Sequence, residues 1–210
     1  MIHNIFWDVD GTLFDTTPAI TYAISKALSE MGVSIALNVI DGLTRRSFNH
    51  CLESLAQRFN LDPVLLLRQF EDTYRTISPA NQLPFPGVED VCSFIHNQGG
   101  LNIAVSHRED ESSQQLLKTH GLDVFFDGII TNKQGLTYKS NSEIVLNALR
   151  KYSLNPTETL LVVDHELDIQ TGHAAGIHTC LFDQEELSTS ANFHISHFSQ
   201  LLGMLQKEIL

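Results

Sequence analysis

Asp8-Val9-Asp10-Gly11-Thr12-Leu13-Phe14-Asp15 follows an apolar run that begins at Ile2 and is typical of a β-strand. Side chains two residues apart in a strand point to the same face, so Asp8 and Asp10 are expected to reach one substrate if the chain stays extended between them. Gly11 then permits a sharp turn with positive φ and a close approach of backbone to a ligand. The stretch predicts a nucleophile beside a general acid/base, a divalent-metal site, or both.

A plain turn is the alternative for this stretch taken alone. Asp-Gly is common in hairpin turns, and an acidic residue after a strand often caps the next helix. The prediction of a functional site therefore depends on residues elsewhere in the chain.

The composition excludes several classes of protein. The chain has 210 residues, 42% of them apolar, which suits one large domain or a core with a smaller insert. A net charge of −12 argues against a general nucleic-acid binder or a protein of acidic membrane surfaces. No stretch is typical of a signal peptide or a membrane span, so we expect a cytoplasmic protein, as a monomer or homodimer. The three cysteines are widely spaced and are expected to be buried apolar side chains.

Strands and helices alternate in the second half of the chain. Apolar runs predict strands at about residues 2–8, 101–106, 128–131, 159–164 and 178–182, with helices between them. This alternation predicts an α/β fold with a doubly wound, Rossmann-like parallel sheet.

The segment 15–84 carries helical patterns only, at about residues 17–31, 44–59 and 62–74. We therefore expect a core domain of residues 1–14 and 85–210, with residues 15–84 inserted as a helical cap domain.

Ligands of such sheets bind at the carboxyl ends of the strands. That rule brings together the polar residues that follow separate strands: Asp8 and Asp10 after the first, Ser106 after the second, Lys139 in a later loop, and Asp164 and Asp168 after the fourth.

Carboxylates gathered in this way need a counterion. Two of them about 4 Å apart repel by roughly 4 kcal/mol at an effective dielectric constant near 20. A hard divalent cation relieves the repulsion, and oxygen ligands favour Mg²⁺. Asp8 would present one oxygen to the metal and attack phosphorus with the other, forming an aspartyl-phosphate.

The other residues have matching roles. Asp10 would protonate the leaving oxygen and then take a proton from water. Ser106, with Gly11 and Thr12 in the turn, would bind the phosphoryl oxygens, and Lys139 would neutralise their charge.

Four motifs carry a resemblance to a known family. They are Asp8-x-Asp10-Gly11-Thr12-Leu13-x-Asp15, Val105-Ser106-His107-Arg108, Tyr138-Lys139-Ser140, and Asp164-x-x-x-Asp168 followed by Ala174-Ala175-Gly176. Over essentially its whole length the chain resembles the haloacid dehalogenase superfamily, in particular its phosphoglycolate-phosphatase-like branch with a helical cap. Two positions depart from the usual family pattern: Ser140 follows Lys139 where proline is frequent, and Val163 precedes Asp164 where glycine is frequent.

This resemblance implies that Asp8, the backbone carbonyl of Asp10 and Asp164 hold Mg²⁺, with Asp168 in support. It also implies phosphate-ester chemistry, because dehalogenases and phosphonatases of the superfamily lack an aspartate at position 10. The expected function is a Mg²⁺-dependent phosphatase for a small phosphorylated metabolite. A sugar phosphomutase and a non-catalytic phospholigand-binding or regulatory protein are the alternatives.

Two further groups are expected to meet the substrate. His107 follows Ser106, and Arg45, with Arg46 and His50, lies in the helical segment where it would meet a distal anionic group. A structural role for His107 and a solvated helix start for Arg45 are equally compatible with the sequence.

Overall fold

The computed structural model describes residues 1–44, 47–106, 110–131, 142–183 and 189–207. The chain forms two compact units: Met1–Phe14 with Pro84–Leu210, and Asp15–Leu83. The role of the second unit as a cap remains a prediction.

The described residues of the first unit form a parallel sheet of six strands, whose bounds are β1 (Asn4–Trp7), β2 (Asn102–Ser106), β3 (Gly128–Thr131), β4 (Thr159–Val163), β5 (His178–Phe182) and β6 (Phe193–Ile195). Their order is β3-β2-β1-β4-β5-β6, and every neighbouring pair is parallel. The predicted doubly wound fold is therefore confirmed. The order of the strands reverses at β1 and β4, the position at which such sheets bind ligands.

The described residues form these α-helices: α1 (Thr17–Glu30), α2 (Leu37–Thr44), α3 (Phe48–Phe59), α4 (Pro63–Tyr74), α5 (Val88–Asn97), α6 (Asp110–Thr119), α7 (Ser142–Tyr152), α8 (Glu166–Ala174) and α9 (Phe198–Gln206). No helix among the described ranges has the length and apolar character needed to cross a bilayer.

Helices cover both faces of the sheet. Side chains alternate along β1, so Ile5 and Trp7 pack in the layer with α5, α6 and α9, whereas Phe6 packs in the layer with α7 and α8. The central strands β1 and β4 are buried on both sides, and for this reason β4 reads in the sequence as the apolar run Leu160–Val163. The sheet therefore holds the ends of β1 and β4 on a rigid base.

The helical unit has its own core. Apolar side chains of α1, α2, α3 and α4 pack together, with Ile24, Leu28, Ile40, Leu55 and Leu66 inaccessible to solvent. The expected second helix at 44–59 was wrong in its start, because α3 begins at Phe48. Ser47 is its N-cap and accepts a hydrogen bond from the His50 amide at 3.0 Å.

A buried polar network crosses the first core layer. The indole N–H of Trp7 donates to Asn102 Oδ1 at 2.9 Å, and Asn102 Nδ2 donates to the carbonyls of Cys92 and Phe125 at 2.9 and 3.0 Å. Asn102 is inaccessible to solvent, so these partners replace the water that the groups lose on folding.

Removing this amide should destabilise the first unit. Asn102→Leu leaves the Trp7 N–H without its partner and removes the amide that donates to two carbonyls, and we expect it to lower the free energy of unfolding by about 3 kcal/mol. Trp7 is the single tryptophan of the chain, so its fluorescence during denaturant unfolding reports on this unit. The control Asn97→Ala removes an exposed amide that donates to Ser93 at 3.2 Å, and should change stability by less than about 0.5 kcal/mol. Equal effects of the two substitutions would contradict the interpretation.

Candidate active site

A tight loop follows β1 and carries the first two candidate carboxylates. The Asp8 amide donates to the Val162 carbonyl at 3.0 Å and so continues the pairing of β1 with β4. The loop then closes on itself: Leu13 N donates to Asp8 O at 3.3 Å, and Gly11 N donates to Phe14 O at 2.9 Å.

This geometry corrects one step of the sequence argument. The strand ends at Trp7, Val9 lies in a turn, and Asp10 forms a bridge with Phe14. The chain is therefore not extended from Asp8 to Asp10, because the backbone hydrogen bonds of the loop turn it back. The turn, and not strand alternation, brings the two carboxylates into range of each other.

Gly11 allows the backbone of the loop to pass close to Asp164. Its φ is +74°, and a Cβ at this position would collide with the Asp164 carboxylate. Any other residue would therefore meet both backbone strain and a steric clash. The motif glycine is explained by its contact with a carboxylate that lies more than 150 residues away in the sequence.

The electrostatics show that the aspartates are close together. Burial raises the pKa of Asp8 well above its ordinary value, and the charges of Asp164, Asp168 and Asp10 raise this pKa further. Burial also raises the pKa of Asp164 to about 6; His165 opposes this change, whereas Asp168 and Asp10 add to it. The loop after β1 and the start of α8 therefore bring four carboxylates close enough together for their charges to interact.

Two hydroxyl residues lie at the same edge. Thr12 is fully buried, and its Oγ1 donates to Asp8 Oδ2 at 3.4 Å. This contact connects Thr12 to Asp8, and the assignment of Thr12 to substrate binding stays a prediction. Ser106 ends β2, is 2% exposed, and lines a cavity of about 30 Å³ together with Asp8, Asp168, Thr171 and five aliphatic side chains.

The donors at this edge suit Mg²⁺. Asp164 Oδ1 is buried and has no hydrogen-bond partner among the described residues, while Oδ2 lies 3.7 Å from His165 Nε2. No three carboxylate, imidazole or thiol side chains within the described ranges are arranged around one point. Mg²⁺ does not require three such side chains, since it commonly takes one or two carboxylates, other oxygens and water as ligands. Asp8, Asp164 and the Asp10 carbonyl fit this pattern, with Asp168 alongside them.

The start of α8 contains a residue that the sequence analysis missed. The sequence predicts a helix after β4, and this helix begins at Glu166. The Glu166 carboxylate accepts hydrogen bonds from Thr189 Oγ1 at 2.7 Å and from Ser190 N at 2.9 Å. Partial burial raises the pKa of Glu166, but the hydrogen bonds from Ser190 and Thr189 outweigh it and lower this pKa below its ordinary value. No local sequence signal identifies this contact, since Thr189 and Ser190 lie 23 and 24 residues after Glu166.

The structure thus brings together part of the predicted site. Asp8, Asp10, Gly11 and Thr12 form the loop after β1, Ser106 ends β2, and Asp164 and Asp168 flank the start of α8. The remaining predicted residues, Lys139, His107 and Arg45, lie outside the described residues, and their assignments stay predictions.

Comparison with known proteins gives a consistent family. A model described as haloacid dehalogenase-like hydrolase matches residues 5–182. The chain is 26% identical over 190 residues to a phosphoglycolate phosphatase of Aliivibrio fischeri, covering 85% of this chain and 82% of that protein. It is 27% identical over 189 residues to the pyrophosphatase PpaX of Halalkalibacterium halodurans, covering 86% and 83%.

A solved structure also matches across the full length. The crystal structure of a predicted phosphoglycolate phosphatase from Haemophilus somnus has a TM-score of 0.82 and 18% sequence identity, and the match covers 98% of each chain. At this identity the likeness shows the fold alone.

Substitution of Gly11 should separate backbone strain from damage to the site. Gly11→Ala combines a positive φ with a collision against Asp164. Gly121→Ala is the matched control, because Gly121 has a φ of +69° and a Cβ there would meet nothing within 4 Å. Both variants should lose about 1–2 kcal/mol of stability to backbone strain. We expect Mg²⁺ to raise the melting temperature of the wild type and of Gly121→Ala, and only Gly11→Ala should lose this increase. An unchanged Mg²⁺ effect in Gly11→Ala would contradict the assigned contact.

The crowded carboxylates should make stability depend on pH in a defined direction. The pKa of Asp164 is about 6 in the folded protein against 3.8 for the free side chain, so the folded state binds the proton more tightly. The stabilisation by this proton is complete below pH 3.8 and is lost as the pH rises through about 6.

In EDTA at pH 8, Asp164→Asn should therefore be more stable than the wild type by an amount on the order of 2 kcal/mol, and this difference should shrink as the pH falls to 5. Saturating Mg²⁺ should reverse the order, because it stabilises only the protein that binds it. Chemical denaturation at both pH values measures these differences, and Asp90→Asn, which removes an exposed acid, is the control. A variant less stable than the wild type in EDTA at pH 8 would contradict the prediction.

Proposed function

This chain belongs to the haloacid dehalogenase-like hydrolase family, and we propose that it is a Mg²⁺-dependent phosphatase that hydrolyses a small phosphate monoester through an aspartyl-phosphate on Asp8. One observation carries the proposal. The charges of Asp10, Asp164 and Asp168 all act on the half-buried Asp8 carboxylate at the end of β1. Such a group of carboxylates is costly without a cation, and it matches the needs of phosphoryl transfer.

The first step of the reaction uses the loop after β1. One oxygen of Asp8 attacks phosphorus, and the bond from phosphorus to the ester oxygen breaks. Asp10, protonated at this stage, gives its proton to the departing oxygen, so an alcohol leaves. Thr12 supports the attack by donating to Asp8 Oδ2, which holds the carboxylate in one orientation.

The second step reverses the role of Asp10. Its carboxylate takes a proton from water as the water oxygen attacks phosphorus, and the bond between phosphorus and Asp8 breaks. Free phosphate leaves, and Asp10 is protonated again. Ser106, which lines the same cavity as Asp8, and the turn at Gly11 are assigned to the phosphoryl oxygens, and Lys139 is assigned to them by the sequence pattern.

Asp8, Asp164 and the Asp10 carbonyl are the groups that would hold Mg²⁺. The buried, unpartnered Oδ1 of Asp164 supports this choice among the described residues. When bound, the ion supplies positive charge that offsets the carboxylates and the phosphoryl oxygens. Asp168 would act from the first turn of α8, close enough for its charge to affect Asp8.

The substrate class follows from the same chemistry. Similar proteins carry the names phosphoglycolate phosphatase and pyrophosphatase. The substrate in each name is a small molecule that carries phosphate. We assign a small phosphorylated metabolite as the substrate class without naming one. Action as a monomer or homodimer, and a cytoplasmic location, remain predictions.

Turnover of an aryl phosphate tests the proposal directly. Wild-type protein with Mg²⁺ should release phosphate, and EDTA should abolish the release. Asp8→Asn removes the nucleophile and should reduce the rate by at least about 10³-fold, whereas Asp10→Asn removes the proton donor and should cost about 10²–10⁴-fold. The control Asp90→Asn removes an exposed acid on α5 and should retain the wild-type rate.

A panel of phosphorylated metabolites then separates the alternatives. Steady release of phosphate excludes a non-catalytic phospholigand-binding or regulatory protein. Isomerisation of a sugar phosphate with little release of free phosphate would identify a phosphomutase. Folded, Mg²⁺-saturated protein that binds phosphate by calorimetry but turns over no member of the panel would overturn the proposal.

A further inference from the structure

We propose that Glu166 is a positioning residue: its attachment to Thr189 and Ser190 fixes the first turn of α8, and thereby the placement of Asp164 and Asp168 that determines Mg²⁺ affinity. This inference rests on the proposed function, because it assigns a task to a residue that the reaction itself does not use. It concerns contacts between α8 and the segment that precedes β6.

Glu166 is fixed by three hydrogen bonds. Thr189 Oγ1 donates to Oε2 at 2.7 Å, while Ser190 donates to Oε1 through both its backbone N and its hydroxyl. Both carboxylate oxygens therefore have partners. Thr189 Oγ1 also accepts from Ala191 N at 3.0 Å, so the donor segment is itself folded into a fixed turn.

The same segment also holds the other end of α8. Asn192 Oδ1 accepts from Thr179 N at 2.9 Å, and Asn192 N donates to Thr179 Oγ1 at 3.2 Å. Thr179 Oγ1 in turn lies 3.0 Å from His173 Nε2, near the end of α8. Residues 189–192 are thus attached to the first turn directly and to the last turn through β5. These two attachments restrict sliding and rotation of the helix.

The first turn needs such an attachment for two reasons. Its N-cap residue, His165, makes no side-chain hydrogen bond to the helix, so the usual restraint on a helix start is absent there. The charges of Asp164 and Asp168 both act on Asp8, and their repulsion pushes the loop and the helix apart.

Glu166 is well placed to oppose this movement without joining the metal site. It lies two residues from Asp168 in α8, and residues two apart in a helix do not face each other. Its carboxylate is directed to Thr189 and Ser190, so its charge is held by donors and not by a shared ion.

The test compares Mg²⁺ affinity in variants on both sides of the contact. Glu166→Ala removes the acceptor, and the double variant Thr189→Val with Ser190→Ala removes the two donating hydroxyls. Affinity is measured by calorimetry and from the Mg²⁺ dependence of the melting temperature, neither of which requires turnover. Both variants should bind Mg²⁺ about tenfold more weakly, in the range for residues that orient metal ligands. In turnover, the Mg²⁺ concentration for half-maximal rate should rise by the same factor, with a smaller change in the rate at saturation.

Matched controls separate positioning from general loss of structure. Thr157→Val removes a hydroxyl that donates to Asn155 Oδ1 at 3.0 Å in an exposed turn, and should leave Mg²⁺ affinity unchanged. Glu166→Gln retains one acceptor oxygen and should recover part of the affinity lost in Glu166→Ala. If Glu166→Ala fails to fold, the Thr189→Val and Ser190→Ala variant gives the same measurement from the other side.

The possible outcomes distinguish this inference from the proposed function. The positioning role alone would be overturned by the following result: the wild type binds Mg²⁺ and releases phosphate, and the variants have lower melting temperatures but the same Mg²⁺ affinity as the wild type. Wild-type protein that neither binds Mg²⁺ nor turns over phosphate esters would overturn both. A common loss of affinity in the Glu166 and Thr189/Ser190 variants, absent in Thr157→Val, would support the inference.

Discussion

Repulsion among the carboxylates of Asp8, Asp10, Asp164 and Asp168 constrains the whole carboxyl edge of the sheet. Each charge raises the free energy of the others, and burial raises the pKa of Asp8 and of Asp164. A folded protein retains such a group only if strong contacts elsewhere hold its members in place. Here the parallel pairing of β1 with β4 supplies those contacts. The pairing continues to the Asp8 amide, and it joins the two strands that end just before Asp8 and Asp164.

The fold was predictable because its central strands, β1 and β4, are buried on both faces. A strand such as β4 has no polar side to interrupt its apolar run, so the sequence itself indicates a parallel sheet covered by helices. Short elements lack this information. β6 has three residues, too few for a periodic pattern, and it joins the sheet by pairing with β5. Helix α2 contains Gly42 and the β-branched residues Val39 and Ile40, which lower its helix propensity, and it is held by packing of Ile40 in the helical core.

The candidate site was predictable to the extent that it follows strand ends. Asp8, Ser106 and Asp164 each stand directly after or at the end of an apolar run, and strand topology alone brings them to one edge. The local geometry was not predictable in the same way. Alternation along a strand suggested why Asp8 and Asp10 are close, but backbone hydrogen bonds of the loop determine their placement. The contacts of Glu166 were missed because hydrogen bonds between residues more than 20 positions apart leave no local pattern.

A net charge of −12 opposes the approach of a phosphate ester, so attraction of the substrate has to be local. At physiological ionic strength the screening length is about 8 Å, and exposed acids beyond that distance contribute little to the potential at the end of β1. The nearby aspartates are different, because they lie within the site and are partly shielded from solvent. A divalent cation held by two of them would offset their charge and so lower the cost of bringing a phosphate ester to the end of β1. Under the proposed function, the same carboxylates that destabilise the metal-free protein couple two binding events, because an anion meets less repulsion here once a divalent cation is bound.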